Sequence, residues 1–122
     1  MAIELKPSQA LRLLHDVSLG LVQQDRGGGD APAPDFTLRQ IAVLLTIYLE
    51  PPPHTVRGLA AKLNVTKPVI TRALDALGKQ ELLSRRRDDV DKRNVIVQRT
   101  VKGALYLEEL GDLVVAKGRA LS

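Results

Sequence analysis

The chain has 122 residues, a formal net charge of +4 at pH 7 and no cysteine. This length fits one domain that buries about two thirds of its unfolded surface. The lack of cysteine excludes disulfides, thiolate metal sites and direct cysteine redox sensing. The longest apolar run, residues 41–49, is half a membrane span, and no signal peptide pattern is visible. We therefore expect a cytoplasmic, nucleoid-associated protein with no membrane contact and no cofactor.

The charge is unevenly distributed along the chain. Residues 1–50 carry four Lys or Arg against six Asp or Glu, a net charge of −2, whereas residues 51–122 carry fourteen against eight, a net charge of +6. A basic half suits phosphate binding, although taken alone it could equally be a solvated face.

The first predicted helix spans residues 8–26. Ser8 is a favourable N-cap, and apolar residues recur on one side at helical spacing, namely Leu11, Leu14, Val17, Leu21 and Val22. Glycines at 27–29 end this helix, and residues 30–35 predict a flexible connector because they include two prolines. The glycines lack the Gly-Lys-Ser/Thr ending of a phosphate-binding loop, so we interpret them as linker.

A capping box predicts the start of the second helix. Thr37 and Gln40 have the required spacing, and apolar residues follow at Ile41, Leu44, Leu45 and Tyr48.

Two closely spaced helices are predicted next. Thr55 is a good N-cap for a helix that runs to Leu63, and Thr66 is a second N-cap, with Pro68 among the first helical positions. The second of these helices has an apolar stripe, whereas Lys67, Thr71 and Arg72 fall on its other side. So short a connection predicts a helix-turn-helix motif, whose second helix docks into a DNA major groove.

An arginine-rich hairpin follows. Residues 82–87 can form one strand and the β-branched residues 95–97 the other. The polar residues between them lack the spacing and glycine of a calcium loop. Arg85, Arg86 and Arg87 could protect a strand edge, but we favour phosphate contact, because a strand beside a docked helix approaches the DNA backbone.

The last predicted helix begins after Thr100 and runs towards Leu121. Its apolar residues occupy more than one face, and this excess suggests burial against another chain. The alternative is that one face rests on the N-terminal helix.

Residues 36–103 resemble the winged-helix regulators of the multiple-antibiotic-resistance regulator (MarR) family. The matching segments are Leu-Asn-Val-Thr-Lys-Pro-Val-Ile-Thr-Arg at 63–72, Asp-Lys-Arg at 91–93 and Thr-Val-Lys-Gly at 100–103. The resemblance implies that Thr71 and Arg72 lie on the recognition helix. It also implies that Arg93 reaches into a minor groove from the wing tip, with Asp91 holding it. The implied protein is a dimeric bacterial transcription factor that binds a palindromic operator and is often relieved by a small-molecule effector.

We therefore predict a mainly α fold with a small β-hairpin. The winged helix-turn-helix lobe spans residues 36–99, and residues 8–26 and 100–121 form flanking dimerisation helices. The predicted function is that of a regulator, more specifically a repressor, whose partners are double-stranded DNA and a second copy of the chain. The predicted DNA-binding residues are Thr66, Lys67, Pro68, Val69, Thr71, Arg72, Arg86, Arg87, Asp91, Lys92 and Arg93.

Three departures from the family pattern carry structural expectations. Glu81 stands where the family usually has a glycine that ends the recognition helix, so we expect a strained left-handed residue or a different helix end. Arg99 replaces a buried leucine and must extend to solvent or pair. Residues 51–53 are all proline and replace the usual first strand, so we do not expect a regular three-stranded wing sheet.

Two other binding functions are weaker. A winged helix that docks protein would tend to expose large apolar anchors rather than Lys67, Thr71, Arg72 and Arg93. An RNA or single-strand binder would need aromatic platforms, and the chain has one Phe, two Tyr and no Trp. No residue pattern supports an enzyme, and the two histidines lie too far apart to predict a metal site.

Overall fold

The computed structural model describes residues 4–23 and 35–121 of the chain. Its elements, in order, are α1 (Pro7–Gln23), α2 (Leu38–Leu49), β1 (His54–Thr55), α3 (Val56–Leu63), α4 (Lys67–Lys79), β2 (Leu83–Arg87), β3 (Val95–Arg99) and α5 (Val101–Arg119). The predicted mainly α fold with a small hairpin is confirmed. The predicted end of the first helix at residue 26, the glycines at 27–29 and residues 30–34 of the predicted connector lie outside the described residues.

The chain divides into two compact units. One, which we call the lobe, is Phe36–Leu107; the other, which we call the helical unit, comprises Met1–Asp35 and Glu108–Ser122. The lobe therefore holds α2, α3, α4, the sheet and the start of α5, while α1 and the rest of α5 belong to the helical unit.

The core of the lobe is aliphatic and joins α2, α3, α4 and the sheet. The side chains of Leu44, Ile47, Leu59, Ile70, Leu74 and Leu77 are essentially inaccessible to solvent. Val43, Leu82, Leu83 and Val97 extend this cluster. Because α4 supplies its whole apolar stripe to the core, its opposite face is left at the surface.

The wing sheet has three antiparallel strands in the order β1-β3-β2. The expectation that the prolines would prevent a third strand is wrong. The additional strand is β1, which begins directly after the prolines. Its residue His54 lies opposite Val97, and Thr55 lies opposite Ile96. The prolines themselves lack the N–H that a ladder needs, which confines β1 to two residues.

The predicted helix caps are confirmed for α2 and α3. Thr37 and Gln40 form a reciprocal capping box, and the Thr55 hydroxyl accepts a 2.9 Å hydrogen bond from the Gly58 N–H. At α1 the predicted N-cap is wrong: the helix begins at Pro7, before the predicted cap Ser8. The first helical hydrogen bond runs from the Ala10 N–H to the Lys6 carbonyl, so Ser8 lies inside the helix. Pro7 explains the earlier start, because proline is favoured at the first helical position.

Thr66 occupies the N-cap of α4, but its side chain makes no capping hydrogen bond. A cap of this kind accepts from the second or third N–H of the helix. The second position is Pro68, which has no N–H to donate. The Thr66 hydroxyl is thus not engaged in capping the helix.

Tyr48, near the end of α2, links the start of β2 to the start of α5. The Tyr48 hydroxyl donates a 2.6 Å hydrogen bond to the Leu82 carbonyl and accepts a 3.0 Å bond from the Thr100 N–H. A Cβ atom at Gly103 would collide with this hydroxyl and with the Leu82 carbonyl. A side chain at position 103 is therefore incompatible with this arrangement.

Arg99 satisfies the expectation that it must extend or pair. Its Nε donates to the Ile47 carbonyl at 2.8 Å and its Nη2 to the Glu50 carbonyl at 2.9 Å, at the C-terminal end of α2. The guanidinium also lies 5.7 Å from the centre of the Tyr48 ring. A cation at a helix C-terminus is favourable because the last carbonyls carry partial negative charge.

Candidate nucleic-acid interface

The surface of α4 carries the predicted groove-reading residues. Lys67, Thr71 and Arg72 are exposed, whereas Val69 beside them is half-buried. Lys67 and Thr71 are four residues apart and lie in one row along the helix, and Arg72 lies beside that row. We call this surface of α4 the docking face. It presents a cation, a hydroxyl and a guanidinium to solvent within about two turns of helix.

A tight left-handed turn sets α3 against α4. Asn64 has φ 56° and ψ 49°, and its N–H bonds back to carbonyls in the last turn of α3. Asparagine tolerates this conformation better than most residues. The Val65 N–H donates to the Ala60 carbonyl at 3.0 Å, which completes the helix end. The connection between the two helices of the motif is thereby held without a glycine.

The C-terminal end of α4 is a Schellman motif with Glu81, not glycine, at its left-handed position. Glu81 has φ 60°, as expected of a residue at this left-handed position. The Glu81 N–H donates to the Gly78 carbonyl at 2.9 Å and the Leu82 N–H donates to the Leu77 carbonyl at 3.2 Å. Leu77 and Leu82 are both buried in the core, so the chain turns sharply from α4 into β2.

The wing tip holds an ion pair. The Arg93 Nε lies 3.1 Å from Asp91 Oδ1 and the Arg93 Nη2 lies 3.4 Å from Asp91 Oδ2. The Arg93 N–H also donates to Asp91 Oδ1 at 3.1 Å. The Asn94 N–H donates to the Asp91 carbonyl and the Asp88 N–H to the Asn94 carbonyl, which closes the turn. Asp91 therefore orients an arginine side chain that is 84% exposed.

Electrostatics at the wing tip favour the ionised carboxylate. The Arg93 side chain lowers the pKa of Asp91 below its ordinary value of 3.8, and the Arg93 N–H lowers it further. A smaller contribution in the same direction comes from the charge of Arg57. Arg57 lies in the first turn of α3, which directly follows β1. Sequence reasoning missed Arg57, because only the β1–β3 pairing brings α3 towards the wing.

The three arginines of β2 are not equivalent. Arg85 forms a 2.8 Å ion pair with Asp75 of α4. Arg87 donates to the Lys92 carbonyl at 2.8 Å across the turn. Arg86 alternates with them along the strand and therefore points to the other side of the sheet, where it donates a 3.3 Å bond to the Arg87 carbonyl. The sequence indicated the arginine run but not the pairing of Arg85 with the recognition helix.

An exposed-arginine wing beside a helix-turn-helix defines the class of this protein as a winged helix-turn-helix protein. Residues 36–95 match the family model described as the MarR family. This segment of the chain is a MarR-family domain.

Relatives and solved structures are similar to the chain over different lengths. A curated protein of Bacillus subtilis (strain 168), the HTH-type transcriptional repressor YetL, is 41% identical over 51 residues, which cover 42% of this chain. A crystal structure of MarR is 25% identical over 92% of this chain and 78% of its own, with a TM-score of 0.62. A crystal structure of a mutant MarR from E. coli complexed with operator DNA is 26% identical over 92% of this chain and 69% of its own, with a TM-score of 0.64.

The chain spans less than two thirds of the length of some of the proteins that it matches. The similar segment spans only 30% of the Bacillus repressor, and this chain covers 59% of a structure of overoxidized AbfR bound to DNA.

Among the residues that the structure describes, no helix has the length and apolar character needed to cross a membrane. The same residues contain no group of three or more potential metal ligands among His, Asp and Glu.

Proposed function

We propose that the chain is a sequence-specific double-stranded DNA-binding transcriptional regulator, most specifically a repressor, that acts in the cytoplasm as a homodimer on a palindromic operator. One observation carries the proposal: the lobe places the exposed polar docking face of α4 in the same compact unit as a wing whose tip arginine is held by Asp91. The similarity to MarR complexed with operator DNA supports the same function.

In this proposal the docking face reads bases in the major groove. Arg72 suits bidentate contact with guanine, and a good pair of this kind contributes about 1–3 kcal/mol of discrimination. Thr71 is placed to contact the base edges beside the one that Arg72 reads. The start of the helix lies next to the DNA backbone and carries Thr66, Lys67 and Pro68. Val69 either meets a thymine methyl or packs against the lobe.

The wing acts on the minor groove and on phosphates. Arg93 enters a narrow groove, where the negative potential is enhanced, and Asp91 limits the orientations of its guanidinium before binding. Lys92, Arg86 and Arg87 are exposed and contribute phosphate contacts. Such contacts provide affinity without sequence information.

The homodimer proposal rests on the helical unit. Leu11 and Leu14 of α1 are 67% and 63% exposed, and Val115 of α5 is half exposed. Apolar surface of this extent on two helices of one unit is typical of an interface. We therefore propose that residues 8–26 and 100–121 carry the dimerisation helices and that residues 36–99 carry DNA binding.

The test is selection of bound fragments from a genomic DNA pool, followed by affinity measurements on the selected site at fixed salt. Arg93→Ala should weaken binding about tenfold or more, because it removes the minor-groove contact. Arg72→Ala should instead relax the preference at one base pair in each half-site. Arg39→Ala is the control, since Arg39 is an exposed arginine in the first turn of α2, outside the proposed interface. Failure to enrich any sequence, or equal effects of all three substitutions, would refute the proposal.

A further inference from the structure

Asp75 places a carboxylate on the DNA-facing side of α4. It follows Lys67 and Thr71 at intervals of four residues, so the three side chains form one row along the helix. Asp75 is exposed, as Lys67 and Thr71 are, while the intervening Ala73 and Leu74 are buried. An unpaired carboxylate in this row would face the phosphates of a docked duplex and would be repelled by them.

The ion pair with Arg85 neutralises this carboxylate. Arg85 Nη2 lies 2.8 Å from Asp75 Oδ1, and the side chains of Arg85 and Asp75 are 33% and 54% exposed. An added Cβ atom at Gly78 would lie 3.9 Å from the same Arg85 nitrogen, so the guanidinium lies along the last turns of α4. The pair therefore bridges the recognition helix and the first strand of the wing hairpin.

The strand register explains why Arg85, and not its neighbour, reaches α4. Arg85 lies opposite Val97, which is buried, and it alternates with Leu83, which is also buried. All three side chains therefore share the face of the sheet that packs towards the helices. Arg86 lies opposite Ile96 on the other face. Arg85 and Arg86 are adjacent arginines that differ in the face they occupy.

We propose that Arg85 is a positioning residue for DNA recognition: it removes the negative charge of Asp75 from the docking face and fixes the orientation of α4 relative to the wing. This inference rests on the proposed DNA-binding function. The pair is partly exposed, and pairs of this kind add little to the free energy of unfolding. Its effect should therefore appear in the discrimination between DNA sequences rather than in the melting temperature.

The test is a double-mutant cycle with Asp75→Asn, Arg85→Gln and the double variant. The measured quantity is the ratio of the affinity for the selected operator to the affinity for a scrambled duplex of equal length. Arg85→Gln should lower this ratio about tenfold, because it leaves the carboxylate unpaired and the helix less constrained. Adding Asp75→Asn to Arg85→Gln should recover most of the loss, because the repelling charge is gone. The melting temperatures should change little across the cycle.

Arg86→Gln, alone and combined with Asp75→Asn, is the matched control. It removes the same charge from the adjacent position on the opposite face, so its effect should add to that of Asp75→Asn without coupling. Additive effects of Arg85→Gln and Asp75→Asn on this ratio would overturn the proposal. A loss of affinity in Arg85→Gln that is equal for the operator and the scrambled duplex would overturn it too, and would make Arg85 a direct phosphate contact. Asp75→Asn could instead change the base preference at one position of the operator by the same amount whether or not Arg85 is also replaced. That result would make Asp75 a direct cytosine contact and would also overturn the proposal. If the wild-type chain binds no duplex, the proposed function fails; if it binds and shows no coupling, only this inference fails.

Discussion

The Thr100 hydroxyl donates a 2.8 Å hydrogen bond to the carbonyl oxygen of Glu81. The same hydroxyl accepts a 2.9 Å bond from the Gly103 N–H at the start of α5. Glu81 is the left-handed residue that ends α4, and its carboxylate also lies 3.2 Å from the Lys102 ammonium. One threonine thus links the end of the recognition helix to the start of the helix that continues into the helical unit.

The first prediction concerns the strain at Glu81. A non-glycine residue in the left-handed region costs about 1 kcal/mol relative to glycine. Glu81→Gly should therefore raise the free energy of unfolding by about 1 kcal/mol, although it loses the exposed pair with Lys102. Denaturant titration of the variant measures the change.

The control for this strain is Glu81→Ala. It removes the same carboxylate but keeps a Cβ atom at the left-handed position. Its free energy of unfolding should equal that of the wild-type chain or fall slightly below it. A gain in Glu81→Ala as large as that in Glu81→Gly would show that removal of the charge, and not relief of the backbone, is responsible.

The second prediction concerns the close packing at Gly103. A methyl group there would displace the Tyr48 hydroxyl from the Leu82 carbonyl and the Thr100 N–H. Gly103→Ala should destabilise the lobe by about 1–3 kcal/mol, the usual range for overpacking. Gly111 lies in the same helix, and no described atom apart from the neighbouring backbone of that helix lies within 4 Å of its added Cβ. Gly111→Ala should instead stabilise the chain by about 0.5–1 kcal/mol through helix propensity. A stabilising Gly103→Ala would contradict the tight contact.

Local signals account for the parts of the fold that the sequence predicted. The Thr37 and Gln40 spacing, the Thr55 cap and the apolar stripe of α4 each depend on residues within a few positions of one another. Thr37 and Gln40 alone predicted the start of α2. The apolar stripe of α4 predicted that the opposite face of this helix is exposed. The docking face could therefore be read from the sequence before the fold was known.

The features that the sequence did not predict depend on pairing between distant segments. β1 is a strand only because His54 and Thr55 meet β3, and no two-residue segment carries a strand signal of its own. Arg99 was expected either to extend to solvent or to pair, but the sequence could not identify its carbonyl partners, which lie 52 and 49 residues away. The Arg85 and Asp75 pair depends on the register that brings β2 beside α4.

The third prediction concerns the protonation of Asp91. Hydrogen bonds from the Arg93 side chain and N–H lower the pKa of Asp91, and the charge of Arg57 adds to this effect. A lowered pKa in the folded state means that the carboxylate stabilises the wing above about pH 3.8 and that this contribution is lost as the pH falls through the lower, folded-state pKa. Side-chain carboxyl NMR titration of wild-type protein should show the lowered pKa, and Arg93→Ala should return it towards 3.8.

Lys92→Ala is the control for the Asp91 titration. Lys92 lies between the two paired residues in sequence but is not among the groups that lower the Asp91 pKa. Its removal should leave the Asp91 titration unchanged, whereas Arg57→Ala should raise the pKa by less than Arg93→Ala does. Equal upward shifts in the Lys92 and Arg93 variants would mean that general positive charge, and not the specific pair, holds the carboxylate ionised.

The last prediction concerns the proposed dimer. Leu11 and Leu14 are mostly exposed on α1, so replacing both with Glu removes little packing from the described fold. If these residues form the interface, burying two carboxylates there would prevent association, because an unpaired buried charge is costly. Sedimentation at micromolar concentration should show a wild-type dimer and a Leu11→Glu/Leu14→Glu monomer with an unchanged circular dichroism spectrum. Leu38→Glu is the control, since Leu38 is 84% exposed at the start of α2 in the lobe, and this variant should remain dimeric.

The proposed dimer also predicts the geometry of the DNA site. Two recognition helices related by a two-fold axis should meet successive major grooves about 34–36 Å apart, so the selected site should be an inverted repeat. The logarithm of affinity should fall with the logarithm of salt concentration by about 0.9 for each phosphate neutralised. The Leu11→Glu/Leu14→Glu monomer should bind one half-site, and its affinity should depend on salt with roughly half the slope of the wild-type dimer, since it makes half of the phosphate contacts. A wild-type monomer that binds one-to-one to a site without a repeat would show that the lobe acts alone.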